Sequence, residues 1–214
     1  MTVNYRVEYS LRRRTIGIYV TREGVIIKAP PHVSLTYLDQ VVQKKVDWIQ
    51  KHSVPPLHHY LPGEQFLYLG KEYTLQLQDT ISSIRLSGSF LQIPGYYEQA
   101  DIRLQLENWY MEQAKQLIPD RITFYAPLLG VTPRRTLISR PKRRWGSCNS
   151  QGDIRINYRI LMAPLTIIDY VVVHELAHLK EMNHSPHFWQ VVGSVMPDYR
   201  QRRRELTRLR WFLE

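Results

Sequence analysis

Val173-His174-Glu175-Leu176-Ala177-His178-Leu179-Lys180-Glu181-Met182-Asn183-His184-Ser185-Pro186-His187 is the stretch on which both fold and chemistry turn. A helical segment is read over roughly Pro164 to Met182, so His174 and His178 fall four residues apart on one helix. Residues at that spacing lie about 40° apart in projection and about 6 Å apart in rise, so two imidazole nitrogens can reach a single ion. Glu175 sits one step round. There its carboxylate stays out of the coordination shell yet can take a proton from a metal-bound water, which is the physical content of a His-Glu-x-x-His pattern.

A catalytic zinc wants three protein ligands and an open position. Asn183 suits the left-handed conformation that ends a helix, Ser185 can cap the next one, and Pro186 fits its first position. The chain therefore breaks at His184, which can swing back toward His174 and His178. His187, in the first turn of the following helix, competes for the same role; otherwise it is an outer or substrate-facing residue. The carboxylates near enough to orient a ligand are Asp169, Glu181 and Asp198. Glu181 is preferred, because it lies seven residues past His174 on the same face.

Upstream, Arg144-Trp145-Gly146-Ser147-Cys148 carries a Trp-Gly pair at a strand end, where a buried ring sits beside a backbone that must approach something closely. Trp145, Gly146 and Ser147 are thus candidates to line the cleft and bind substrate. Cys148, the single cysteine, reads as an inert buried thiol.

The rest of the chain falls into two parts. Residues 1–97 read as a β-rich N-terminal subdomain with one helix. A β-meander is expected from Tyr5–Tyr9, Ile16–Val20 and Val25–Lys28, with Arg22-Glu23-Gly24 as a turn. A helix capped by Ser34 comes after it, then short strands at Phe66–Leu69, Tyr73–Leu77, Ile81–Leu86 and Phe90–Ile93. In residues 98–214, Ile102, Leu106, Trp109, Tyr110, Ala114 and Leu117 recur at helical spacing, and the pattern carries on past Pro119 to Leu128 with a kink or break expected there. Strands Arg135–Ser139 and Asp153–Asn157 come next. Helices Pro164 to Met182, Pro186 to Val195 and Asp198 to Leu213 complete the chain.

The 214 residues carry a formal charge of +10, enough to attract anionic partners through the long-range field. Six basic residues lie between Arg134 and Arg144, and six more between Arg200 and Arg210, flanking the histidines on both sides. Aromatic content of 11% argues against disorder. One cysteine and a polar, basic opening from Met1 to Arg14 fit a cytoplasmic protein. Leu161 to Val173 is too short for a membrane span and carries Asp169, so no membrane association is expected. His32, His52, His58 and His59 lie far off in the first half of the sequence, and the His58-His59 pair, in a Pro-rich loop, reads as exposed surface.

The combination of His174-Glu175-Leu176-Ala177-His178-Leu179, Asn183-His184-Ser185 with Phe188-Trp189, and Arg144-Trp145-Gly146-Ser147-Cys148 followed by Gly152 and Asn157 resembles the YgjP-like metal-dependent hydrolases, relatives of the SprT-like zinc metallopeptidases. Ile16–Val20, Val25–Pro30, Asp47-Trp48-Ile49 and Leu67–Gly70 extend the resemblance over nearly the whole chain. It implies an α+β fold in which the N-terminal subdomain packs on a zincin-type C-terminal domain, a small sheet against the active-site helix. It also implies one zinc ion held by His174, His178 and His184, with Glu175 as general base. Peptide-bond hydrolysis is the leading expectation. A metal-dependent nucleotide phosphohydrolase is the second, because basic residues flank the site. A nucleic-acid-associated protease or binding module, acting through the basic patches, is the third.

Overall fold

The computed structural model describes residues 3–21, 24–51, 58–141 and 143–209. Arg22 and Glu23 of the expected turn, His52, Lys142, Arg210 and the expected run of the last helix to Leu213 lie outside the described residues. Three small sheets and six α-helices make a mixed α+β structure among the described residues, divided into two units, residues 1–58 and 59–214.

In the first unit, alternating side chains build β1 (Tyr5–Tyr9), β2 (Gly17–Thr21) and β3 (Gly24–Ala29). Their order is β1-β3-β2, with β3 parallel to β1 and antiparallel to β2, so the expected meander does not form. Alternation marks a segment as a strand but leaves its partner open. Here Ser10 N–H donates to Ala29 O at 3.0 Å, and residues 10–16 carry the chain past the sheet, leaving the place beside β1 to β3. The expected single helix is two, α1 (Leu35–Gln43) and α2 (Val46–Lys51). Ser34 caps α1 as anticipated, its Oγ accepting from Tyr37 N–H. Ile27, Ala29, Leu38, Val42 and Ile49 form the unit's core.

The second unit opens with a four-stranded sheet of β4 (Gln65–Tyr68), β5 (Lys71–Gln78), β6 (Arg85–Ser87) and β7 (Phe90–Pro94), in the order β4-β5-β7-β6. The strand expected from Ile81 forms only from Arg85. Next comes α3 (Gln99–Leu129), in which Ile102, Leu106, Tyr110, Ala114, Ile118, Ile122 and Ala126 are buried at every fourth position. The first two pack on Phe66, Leu75, Leu91 and Ile93, the others on the core around the histidine-bearing helix. Pro119 does not break the helix. A proline inside a helix costs about 3 kcal/mol, and a stripe whose large members each contribute about 1.5–3 kcal/mol on burial outweighs it.

Tyr110 Oη donates to Leu67 O at 2.6 Å and Leu69 N–H donates to Leu161 O at 2.7 Å. These bonds tie residues 59–97 to the remainder of the second unit, and the boundary expected at 97/98 falls inside that unit. The last sheet contains β8 (Arg135–Ser139), β9 (Gly146–Cys148) and β10 (Asp153–Asn157), in the order β8-β10-β9. Arg134 and Arg135 both clamp the buried Asp153 at the start of β10, with closest contacts of 2.7 and 2.6 Å. A 3-10 turn (Tyr158–Met162) leads into α4 (Leu165–Ala177), then α5 (Pro186–Val195) and α6 (Tyr199–Arg208). Apolar nearly all round, α4 is buried through Ile167, Ile168, Val171, Val172, Val173 and Leu176, as such a helix must be. No helix among the described residues is long and apolar enough to cross a membrane.

Candidate metal centre

α4 ends at Ala177, five residues before the expected Met182, and the chain tightens: Leu179 N–H donates to Leu176 O and Lys180 N–H to Ala177 O, each at 3.0 Å. Glu181 is therefore off the helix, and its carboxylate does not take the place the heptad spacing gave it. Its backbone serves instead, because His178 Nδ1 lies 3.1 Å from Glu181 O. A carbonyl only accepts, so the proton resides on Nδ1 and Nε2 keeps its lone pair. Asp169 and Asp198 are engaged elsewhere. Arg121 and Tyr125 hold Asp169, and Arg202 holds Asp198.

Asn183 is not left-handed; among the described non-glycine residues only Tyr60 and Leu69 have positive φ. With the helix already closed, the turn is made by the Asn183 side chain, whose Oδ1 accepts from Ser185 N–H at 2.8 Å. Ser185 then caps α5, its Oγ accepting from Phe188 N–H at 3.2 Å, with Pro186 in the first position. This brings His184 Nε2 to 3.0 Å from His174 Nε2. One ligand atom from each of His174, His178 and His184 falls within 4.8 Å of the others. Beneath them the fully buried Phe188 is a shared floor, its ring centroid 5.0, 4.6 and 4.7 Å from those of His174, His178 and His184.

This geometry fits a metal ion. Tetrahedral coordination at zinc–nitrogen distances of about 2.0–2.1 Å separates ligand nitrogens by about 3.3 Å, close to the His174–His184 spacing. Burial, then the neighbouring His178, His184 and Arg203, pushes His174 down to about 3, and the same kinds of cause lower His184. Both rings are neutral at pH 7 with lone pairs to donate. His174 Nδ1 is buried with no hydrogen-bond partner among the described residues, so the ring's placement serves the Nε2 side.

Glu175 is 5% exposed and lies against β9. A Cβ on Gly146 would meet Glu175 Oε1 at 2.5 Å and its Cδ and Cγ at 2.7 Å, so only glycine leaves room for the carboxylate. Burial lifts Glu175 to about 8, opposed by the charge of Arg144; a cation at the imidazoles would lower it again. An open cleft of about 270 Å³ lies between Gly146, Ser147 and Cys148 of β9 and the three imidazoles with Glu175 and Met182. Burial, with Glu175 and Asp153 nearby, raises the Cys148 thiol, which donates weakly to Asn149 O at 3.5 Å and stays protonated.

Gly146 and Ser147 line the cleft, whereas Trp145 is core and His187 is exposed and outside the cluster. The residues that the spacing argument missed are Met182, Phe188 and Asn157. Asn157 Nδ2 donates to Pro141 O at 2.9 Å and Arg144 O at 3.1 Å, anchoring the segment that enters β9. In the first basic run, Arg143 and Arg144 are exposed with no ion pair among the described residues, and the charge of Arg144 acts on Glu175. The other described members are engaged: Arg134 and Arg135 are paired with Asp153, and Arg140 bonds Asn108 and pairs with Glu107.

Residues 14–209 match the family described as YgjP-like, metallopeptidase domain. The chain belongs to the YgjP-like family. This YgjP-like chain is 31% identical over 100 residues to the UTP pyrophosphatase of Escherichia coli strain K12, an alignment covering 45% of this chain and 57% of that protein. It thus spans little more than half the length of that relative. It is also similar to the metallopeptidase zymogen of Pyrococcus abyssi abylysin, with 26% identity, a TM-score of 0.40, and coverage of 44% of this chain and 95% of that one. Family membership and the three-histidine cluster describe a metal-dependent hydrolase.

Proposed function

We propose that the chain is a zinc-dependent hydrolase that splits a phosphoanhydride of a nucleoside triphosphate. The observation that carries the hydrolase reading is the convergence of His174, His178 and His184 beside a buried Glu175. His174 and His184 would present Nε2 to the ion, as would His178, whose Nδ1 is tied to Glu181 O. When bound, the ion supplies Lewis acidity, lowering the pKa of a water and offsetting charge that develops on the substrate. Glu175, held against Gly146, takes the proton of the attacking water and passes it toward the leaving group. The water oxygen forms the new bond to phosphorus as the bridging P–O bond breaks. Two facts support phosphate chemistry: the relative named UTP pyrophosphatase, and arginines on α6 that no acidic side chain neutralises among the described residues.

Peptide hydrolysis is the second reading. It is favoured by β9, an edge strand of its sheet that borders the cleft and can pair with an extended peptide. Zinc-loaded protein is offered UTP and an unstructured peptide in parallel, with Glu175→Gln as control. The proposal expects phosphate or pyrophosphate release from UTP, abolished in Glu175→Gln while zinc is retained. Peptide cleavage without nucleotide turnover would replace it with the second reading. Full activity in Glu175→Gln would remove the role given to that carboxylate.

A further inference from the structure

α6 presents Arg200, Arg203, Arg204 and Thr207 along one face, at positions i, i+3, i+4 and i+7. The other face looks inward: Arg202 Nη1 donates to Thr166 O at 2.9 Å, and Leu206 packs on the core. The outward face and the rings of Trp189 and Tyr199 line a second cavity of about 460 Å³. Its construction is specific. Trp189 and Tyr199 stack at 5.3 Å and 12°. The Arg203 guanidinium lies 4.6 Å from the Trp189 ring centre and that of Arg200 lies 5.6 Å from Tyr199, so each cation rests on an aromatic plane that limits its freedom.

Neither nearby carboxylate pairs with Arg200, Arg203 or Arg204 among the described residues. Asp198 pairs with Arg202 at 2.9 Å, and Glu205 accepts from Gln201 Nε2 at 2.9 Å. Three guanidinium groups thus face a cavity with no acidic partner among the described residues. The cavity also adjoins the histidine cluster, since Trp189 stacks on His184 with ring centres 5.7 Å apart and planes 25° apart. The platform that carries Arg203 is thereby in contact with a candidate metal ligand.

We propose that this arginine face, set on the Trp189 and Tyr199 rings, is the subsite that holds the phosphate chain of the substrate while the bond to be broken lies at the three histidines. The inference rests on the phosphoanhydride reading and names the residues that select for it. Planar guanidinium groups bind phosphate oxygens in pairs, which a lysine at the same place does not reproduce. The rings are already covered by each other, by His184 and by the arginines. They therefore fix the cations in place, and the subsite reads the polyphosphate through the guanidinium groups.

The test is titration calorimetry with inorganic triphosphate on the zinc-loaded protein, beside steady-state kinetics with UTP. Arg203→Gln and Arg204→Gln, both at exposed positions, are each expected to weaken triphosphate binding by roughly tenfold or more, with a parallel rise in KM for UTP. Arg203→Lys should recover part of the loss. Arg208→Gln, on the same helix but outside the cavity lining, should leave the affinity unchanged. Because triphosphate also ligates zinc, the comparison is repeated in His178→Ala, where the arginine-dependent difference should persist.

Equal triphosphate affinity in wild type, Arg203→Gln and Arg204→Gln, or a difference that vanishes in His178→Ala, overturns the subsite even if UTP is hydrolysed. Arginine-dependent binding with no turnover of any nucleoside triphosphate sustains the subsite and brings down the phosphoanhydride reading instead.

Discussion

Gly146→Ala is the smallest change expected to disable the site. The added Cβ would stand 2.5 Å from Glu175 Oε1 and 2.7 Å from its Cγ and Cδ, where carbon contacts ordinarily begin near 3.5 Å. The carboxylate must therefore retreat by up to about 1 Å, and with Glu175 only 5% exposed there is little space to receive it. Overpacking of this kind costs about 1–3 kcal/mol of stability. A displacement of about 1 Å at a catalytic group costs about 100-fold in rate. No positive φ is involved at this glycine, so the effect is steric alone. The assay is kcat on the substrate established for the wild type, with urea unfolding and zinc content measured on the same preparations. Zinc should remain bound, since no histidine is touched. Shortening the acid in the double variant Gly146→Ala, Glu175→Asp should recover stability relative to Gly146→Ala alone. Wild-type kcat and stability in Gly146→Ala would refute the placement of Glu175 against β9.

Two further outcomes are expected at the supports of the site. Arg135 and Arg134 hold the Asp153 carboxyl far below the ordinary carboxylate range, so its contribution is complete above the unfolded pKa of about 3.9 and is lost as pH falls below it. Thermal unfolding between pH 2.5 and 7 should show Asp153→Asn less stable than wild type at pH 7, with the gap closing in acid; a constant gap would contradict the assignment. Asn157→Ala removes two bonds to the carbonyls of Pro141 and Arg144 and a third from Arg159 N–H to the side-chain oxygen, each worth about 0.5–1.5 kcal/mol. Urea midpoints should fall accordingly and turnover with them, and unchanged activity would show that the segment entering β9 holds its place without this anchor.

The histidine pair, Glu175 and the strand positions of β8 and β10 are legible in the sequence because each depends on local periodicity. The helix break that delivers His184 is legible too, through the Ser185 cap and Pro186. What is not legible depends on where an element stops or whom it meets. Helix geometry points to the Glu181 side chain, but α4 closes at Ala177 and the residue contributes a carbonyl in its place. The pairing of β1 with β3 cannot be read because alternation gives β1, β2 and β3 similar patterns. The run of α3 past Pro119 to Leu128 is legible in the helical repeat, but the absence of a break at the proline is not, because the buried stripe from Ile102 to Ala126 is held by two separate parts of the core. The two basic runs look alike in sequence. Tertiary pairing with Asp153 and Glu107 engages Arg134, Arg135 and Arg140 of the first, whereas Arg200, Arg203 and Arg204 on α6 have no ion pair among the described residues.

Elemental analysis of the purified protein and its single histidine variants tests the metal centre most directly. One zinc per chain is expected in the wild type and in His187→Ala, with loss in each of His174→Ala, His178→Ala and His184→Ala. Zinc retained at full stoichiometry in His184→Ala, or lost in His187→Ala, would contradict the three-histidine site.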